Sequence, residues 1–128
     1  MSEKFTVEII SPDRSILKTE VNEVIIPSYE GEMGILKDHI PLVTFLRPGL
    51  IKIINETKID FYVEEGIIEF VNNILLILTS TAKEISNIDK NSLANLLSDA
   101  QKKFIEDKAS DKEKYLLSHK IETLKNIT

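Results

Sequence analysis

Apolar and polar residues alternate in short segments through the first two thirds of the chain. Phe5, Val7 and Ile9 occupy every second position of the first segment, and a period of two predicts a strand with one buried face. Segments rich in Val, Ile, Phe and Thr predict further strands at residues 21–27, 42–46, 50–54, 59–63, 67–71 and 74–79. Because these strands are short and closely connected, we expect none of them to pair in parallel.

Turn residues separate these segments. Pro12 favours a turn after the first strand, since its ring presets φ for the second turn position. Pro27 is expected to end its strand, because proline has no N–H to donate to a ladder. Asn72 and Asn73 lie between two strand segments and favour a two-residue hairpin turn, because asparagine tolerates positive φ.

The hydrophobic period lengthens after residue 84. Apolar side chains then recur at every third or fourth position, which predicts one face of a helix. These side chains are Leu93, Leu96, Leu97, Ala100 and Phe104. Asn87 or Asp89 is in position to cap the N-terminus of this helix.

A second helix is predicted from Ser110, which forms the S-x-x-E pattern of a capping box with Glu113. Leu117, Ile121 and Leu124 follow on one stripe. Because only a short polar segment separates the two helices, we expect an antiparallel hairpin. The sequence therefore predicts a mixed fold, β then α, with an antiparallel β domain at residues 1–84 and a helical hairpin domain at residues 85–128.

Charge divides at the same boundary. Residues 1–84 hold 8 Lys and Arg against 14 Asp and Glu, whereas residues 85–128 hold 8 against 7. Two interpretations stay open. The lysines keep an ordinary helical surface soluble, or the hairpin meets an acidic partner.

An isolated hairpin of this length is marginally stable. Each buried large apolar side chain contributes roughly 1.5–3 kcal/mol, whereas each ordered residue costs roughly 1–2 kcal/mol of backbone entropy. The helices therefore need another surface to pack on. We expect a modest contact with the β domain, which a surface on another protein can replace at small net cost.

The composition excludes several classes of protein. The chain has no cysteine, so disulfides and thiolate sites are excluded, and its net charge of -5 argues against sequence-independent nucleic-acid binding. The longest uncharged apolar run, residues 74–78, is far shorter than the roughly 20 residues of a membrane-spanning helix. The first ten residues lack a signal-peptide pattern. A soluble, cytosolic protein without membrane insertion is therefore expected.

Candidates for chemistry are few, and most lie in the segment EGEMGILKDHIPL at residues 30–42. Asp38 and His39 form at most a lone ligand pair, because no second histidine lies nearby at metal-ligand spacing. His119 is expected on solvated helix surface. Motifs for a serine nucleophile, a dinucleotide or a phosphate loop are absent. We therefore predict no catalytic residue and no metal site.

The same segment permits two interpretations. It is a surface loop in which Gly31 and Gly34 supply permissive φ and Pro41 sets the start of the next strand. Alternatively, a rigid scaffold presents this loop to a partner protein.

The residues "EGEMGILKDHIPLVTFLRPG", at positions 30–49, closely resemble the signature of the epsilon subunit of F-type ATP synthases. The opening "VEIISPDRSILKTEVNEVIIPSYEGE", the strand ending in "LTSTA" and the helical tail extend the resemblance over essentially the full chain. The resemblance implies an N-terminal ten-stranded β-sandwich followed by a C-terminal two-helix domain.

The resemblance also implies a function without chemistry of its own. In the family the sandwich is bound to the gamma stalk and sits on the c-ring, so that proton-driven ring rotation turns the stalk inside the catalytic head. The implied location is the cytoplasmic face of the inner (plasma) membrane, as a peripheral subunit. The family's ring-contact loop corresponds here to Glu30, Gly31, Glu32 and His39. A free-standing β-sandwich adaptor and a carboxylate–histidine metalloenzyme remain the alternatives.

For the hairpin, the resemblance implies an extended form that reaches the alpha and beta subunits of the head and restrains ATP hydrolysis. The residues expected to contact the head are Lys90, Lys102, Lys103, Lys108, Lys112 and Lys114. Some members bind ATP through an I/L-D-x-x-R-A motif. This chain keeps Ile88 and Asp89 but has Ser92 in place of the arginine, which removes the phosphate-pairing cation. No cofactor is therefore predicted.

Overall fold

A computed structural model describes residues 3–106 and 110–127. Within them the chain forms ten strands, a single 3-10 turn at Ile85–Asn87 and two α-helices. The strands are β1 Phe5–Ser11, β2 Arg14–Val21, β3 Glu23–Ser28, β4 Gly31–Leu36, β5 Leu42–Leu46, β6 Gly49–Ile54, β7 Lys58–Val63, β8 Gly66–Val71, β9 Ile74–Leu78 and β10 Lys83–Glu84. The helices are α1 Lys90–Phe104 and α2 Asp111–Ile127.

The strands form a β-sandwich that closes around one core. They are hydrogen-bonded in the order β10-β7-β6-β3-β5-β8-β9-β1-β2, and β4 pairs with β3 outside this path. Strand β3 joins the two halves, because its first residues pair with β6 whereas Ser28 pairs with Leu46 of β5. The antiparallel sandwich followed by helices, expected from the sequence, is thus confirmed as the fold.

One pairing contradicts the expectation that no strands are parallel. Strand β1 pairs with β9 in parallel, from Thr6 beside Ile74 to Ile10 beside Leu78. Short connections exclude parallel pairing only between strands that are neighbours in sequence, so the expectation was wrong for β1 and β9. The connection between β1 and β9 is the rest of the sandwich.

The expected loop at residues 30–42 is largely a strand. Residues 31–36 form β4, in which Gly34 lies opposite Ile25 of β3. Gly34 is therefore not a turn residue, whereas Gly31 does have a positive φ of 126°. Pro27 does not end its strand, since β3 continues to Ser28 and Pro27 lies opposite Glu32. The predicted turn at Asn72 and Asn73 is confirmed by their φ values of 53° and 60°.

Two hydrophobic clusters stabilise the chain. The larger lies inside the sandwich and its buried members are Phe5, Val7, Ile9, Val21, Val24, Ile26, Ile35, Leu46, Ile51, Ile53, Phe61, Val63, Ile68, Phe70, Leu75 and Ile77. The smaller, which we call the hairpin cluster, consists of Tyr62, Leu93 and Leu124 with half-buried neighbours from β6, the 3-10 turn and both helices. The helices thus pack on the outside of the sandwich and do not enter its core.

Both helices begin at the predicted caps. The Asp89 carboxylate accepts a hydrogen bond from the N–H of Ser92 at 2.6 Å, and Oγ of Ser110 accepts one from the N–H of Glu113 at 3.2 Å. Leu93 near the start of α1 meets Leu124 near the end of α2, so the helices are antiparallel. Phe104, predicted on the buried stripe, remains 38% exposed.

Division into separately folding units at residue 84 stays a prediction. Neither described helix is long and apolar enough to cross a membrane.

Candidate functional site

A tight turn between β3 and β4 presents two of the predicted contact residues. Tyr29 and Glu30 form this turn, and Glu30 and Glu32 are both exposed. Oγ of Ser28 donates to the carbonyl oxygen of Gly31 at 2.6 Å, closing the turn. Its backbone is fixed by these contacts, so the two carboxylates project from a rigid base.

His39 lies at the opposite end of β4 and is not brought to this turn. Between Glu32 and Leu36 the strand spans roughly 14 Å, since each residue adds about 3.4 Å, and the N–H of His39 then bonds to the carbonyl of Leu36. The imidazole of His39 contacts the ring of Phe70 edge-on at 5.9 Å, and its Nδ1 donates to the carbonyl of Ile40 at 2.7 Å. His39 thus lies at the end of the sandwich opposite to the β3–β4 turn.

Helix α2 contacts the turn directly. The hydroxyl of Tyr115 donates to the carbonyl of Tyr29 at 3.0 Å, and the two rings meet edge-on at a centroid distance of 6.2 Å. Sequence reasoning missed this contact, because Tyr115 lies outside the predicted apolar stripe of α2. Nothing in the local pattern relates it to a turn 86 residues away.

A polar cleft, which we call the docking cleft, separates α2 from the sandwich beside this turn. Its charged and titratable residues are Glu32 of β4, Arg47 of the β5–β6 connection, Lys52 of β6, and His119 and Glu122 of α2. The prediction that His119 lies on solvated surface was wrong, because its side chain is half-buried here. Burial lowers the pKa of His119, Arg47 lowers it further, and Glu122 opposes them.

A second polar contact holds α2 to β7. Nζ of Lys120 lies 2.9 Å from Oε2 of Glu64, and the hydroxyl of Tyr62 donates to the same oxygen at 2.9 Å. Burial of Tyr62, together with the negative charge and hydrogen bond of Glu64, raises the pKa of its phenol. This buried tyrosine links the hairpin cluster to the ion pair.

The outer surface of β5, β8 and β9 is largely apolar, with the exposed Glu69 of β8 opposite Val43. Phe45 lies opposite Ile67, which in turn lies opposite Leu78, so that one apolar row crosses three strands. We call the surface the outer apolar face; its members are Val43, Phe45, Ile67, Val71, Ile74 and Leu78, each at least 40% exposed. The sequence held a signal for it, since "ILLIL" in β9 is apolar on both faces.

The lysines predicted to contact a partner head are spread over the hairpin surface. Lys90, Lys102, Lys103, Lys112 and Lys114 are all exposed. Lys108 lies outside the described residues. Of the residues carried over from the nucleotide motif, Ile88 packs against the hairpin cluster. The carboxylate of Asp89 is engaged in capping α1, and the bond to Ser92 lowers its pKa.

The alternative of a carboxylate–histidine metalloenzyme depends on which side chains converge near Asp38 and His39. Among residues 3–106 and 110–127, no three His, Cys, Asp or Glu side chains converge as metal ligands. Asp38 instead bonds with Asn73, whose Nδ2 donates to Oδ1 of Asp38 at 2.9 Å. These bonds link the segment after β4 to the turn between β8 and β9.

Comparison with known proteins identifies relatives along the whole chain. A family model described as the β-sandwich domain of the ATP synthase delta/epsilon chain matches residues 4–85. The ATP synthase epsilon chain of Pelagibacter ubique (strain HTCC1062) is 47% identical over 129 aligned positions, covering 99% of both chains. The chloroplastic epsilon chain of Pyropia yezoensis is 35% identical, covering 90% of this chain and 86% of the relative.

Solved structures support the same comparison. A chain in the Euglena gracilis mitochondrial ATP synthase, described as OSCP/F1/c-ring, superimposes with a TM-score of 0.74 at 25% identity, covering 95% of this chain and 78% of that one. A chain in the central stalk and c-ring of the Tetrahymena thermophila mitochondrial ATP synthase gives a TM-score of 0.66 at 16% identity, covering 99% and 98%. At that identity the second match speaks for the fold alone.

Proposed function

Since the chain belongs to the epsilon chain family of ATP synthases, we propose that it is a non-catalytic rotor subunit that couples c-ring rotation to the gamma stalk. Its place is then the central stalk of a membrane-associated synthase, on the cytoplasmic side of the inner (plasma) membrane. Its partners are gamma and the c-ring, and the alpha and beta subunits of the catalytic head are reached through the hairpin.

The outer apolar face is the observation that carries this proposal. Six large apolar side chains on three adjacent strands are exposed to water, including Val43 at 67% and Phe45 at 57%. Exposed apolar side chains clustered in this way around a single carboxylate, that of Glu69, are typical of a protein contact. The hairpin cluster lies over β6 and β7, and the hairpin reaches the edge of this face through Tyr29, whose ring contacts both Phe45 and Tyr115. We assign the outer apolar face to gamma, because torque transfer needs a large, tight interface.

The c-ring contact is assigned to Glu30 of the β3–β4 turn and to Gly31 and Glu32 at the start of β4. Two carboxylates on or beside a short, hydrogen-bonded turn can pair with polar or basic loops of the ring. Such pairs fix the orientation of the subunit on the ring more than they increase its affinity for the ring. His39, implied by the family resemblance, lies at the other end of β4. One small contact cannot include both, so a role for His39 requires a second contact.

The hairpin is proposed to restrain ATP hydrolysis when it leaves the sandwich. Its support is the small hairpin cluster, in which Tyr62, Leu93 and Leu124 are the buried members. Such a contact can be exchanged for another protein surface at small net cost. The exposed lysines of both helices then face acidic segments of the head.

Co-purification with the synthase tests the proposal. The wild-type chain is expected to purify with gamma and the ring, whereas Val43→Glu places a charge in the apolar contact and reduces its recovery at least tenfold. Ile105→Glu is the matched control, since Ile105 is 79% exposed near the end of α1. A wild-type chain recovered alone, without gamma or ring, would contradict the proposed function and favour a free-standing adaptor.

A further inference from the structure

The docking cleft is electrically balanced only while its histidine is neutral. The described residues that line it bring two carboxylates, Glu32 and Glu122, and two cations, Arg47 and Lys52. A proton added to His119 leaves one uncompensated positive charge. Because the cleft is partly shielded from water, that charge is costlier there than in free solvent.

His119 also belongs to the chain of contacts that joins α2 to the β3–β4 turn. Its ring packs edge-on against Tyr115 at a centroid distance of 4.6 Å, and Tyr115 in turn is bonded to the carbonyl of Tyr29. The imidazole is thus held between the sandwich and the residue that anchors the start of α2. A change in the charge of His119 therefore affects how strongly α2 binds to the sandwich.

We propose that protonation of His119 weakens the docking of α2 on the sandwich, so that the hairpin is released as the pH falls. Burial and Arg47 lower the pKa of His119 in the docked form, and they outweigh Glu122. A histidine of lowered pKa stabilises docking above its ordinary value of about 6.5. That stabilisation is lost as the pH falls through 6.5 toward the lower, docked value.

Lys120 does not counteract this effect. Its ion pair with Glu64 joins α2 to β7 outside the docking cleft. The consequence for hydrolysis rests on the proposed function: acid conditions free the hairpin to reach the catalytic head.

Distance measurements on the full chain test the switch. Because the sequence has no cysteine, Lys58→Cys on β7 and Lys114→Cys on α2 accept two spin labels. At pH 8 we expect the docked distance to dominate, and at pH 5.5 we expect a population at longer distance. His119→Gln is expected to remove this pH response, and Arg47→Gln to reduce it, because the pKa of the docked histidine then lies closer to its ordinary value.

The matched control is His39→Gln, since His39 is the other of the two histidines and lies away from the hairpin. This variant is expected to keep the full response. An unchanged distance distribution from pH 8 to 5.5, or a response that survives His119→Gln, would overturn the switch. ATP hydrolysis by the assembled synthase, measured over the same pH range, tests the restraint separately. A pH-dependent distance with unaltered hydrolysis contradicts the proposed restraint alone.

Discussion

Lys120 of α2 and Tyr62 of β7 meet on a single oxygen atom, Oε2 of Glu64, which lies 2.9 Å from each of their polar atoms. The carboxylate of Glu64 therefore binds α2 to the sandwich, and the hydrogen bond from the buried Tyr62 fixes the position of this carboxylate. Thr81 fixes the backbone of the same residue, since its Oγ1 accepts the N–H of Glu64 at 3.0 Å.

We expect Lys120→Ala to weaken hairpin docking. The side chains of the pair are 19% and 31% exposed, intermediate between surface and buried pairs, so the loss should be about 1–2 kcal/mol. Hydrogen exchange of the amides of α1 and α2 measures it. Lys112→Ala, at an exposed position of the same helix, is the control, and equal exchange in both variants would contradict the role of the pair.

Tyr62 should ionise only when the hairpin is released or the fold is lost. Its raised pKa means that its contribution to stability is present below about pH 10, the ordinary value for tyrosine, and is lost as the pH rises above it. Absorbance of the three tyrosines under alkali should thus show a delayed component that Tyr62→Phe removes. Uniform ionisation of all three near pH 10 would show that Tyr62 is not shielded.

Leu124→Ala should release the hairpin without unfolding the sandwich. Truncation of a fully buried leucine costs about 2–5 kcal/mol, and Leu124 contacts the hairpin cluster, not the sandwich core. Hydrogen exchange should increase in the helices and stay low in β1, β8 and β9. Ile68→Ala, in the sandwich core, is expected to raise exchange in the strands. Joint loss of strands and helices in Leu124→Ala would argue against two separable domains.

Glu32→Lys should weaken the coupling between proton flow and ATP synthesis. It reverses one of the two charges of the proposed ring contact, and synthesis by membrane vesicles at a fixed proton-motive force is the measurement. Glu56→Lys, in the exposed turn between β6 and β7 at the other end of the sandwich, is the control. Equal coupling in wild type and Glu32→Lys would refute the assignment.

ATP should not bind the isolated chain with submillimolar affinity. Ser92 replaces the arginine of the family motif, and Asp89 is committed to the N-cap of α1. Titration calorimetry, with and without magnesium, is the measurement. Ser92→Arg tests the missing cation, and tight binding by the unaltered chain would contradict the expectation.

The fold was predictable where the pattern is local. Period and turn chemistry identified β1, β3 and the strands from β5 to β9, the Asn72–Asn73 turn and both helix caps, but missed β2, β4 and β10. Contacts between distant segments were not predictable in this way. Three features depend on which distant surfaces pack together: the parallel β1–β9 pair, the contact of Tyr115 with Tyr29, and the partial burial of His119. The residue pattern within a single strand or helix does not determine this packing.

The candidate site was predicted in part for the same reason. Glu30, at the β3–β4 turn, lies beside Gly31 and Glu32, at the start of β4, because the three are adjacent in sequence. His39 was grouped with them by a family signature, but an intervening strand carries it to the other end. Without the pairing of β4 with β3, a segment containing two glycines is naturally interpreted as a loop.

The parallel pairing of β1 with β9 also constrains how the protein is made. Strand β1 leaves the ribosome well before β9, and it obtains this one of its two neighbours only after Leu78 has been synthesised. At about 5–20 residues per second, the nascent β1–β2 ribbon waits several seconds with an open edge. We expect this interval to be when the newborn polypeptide most needs a chaperone.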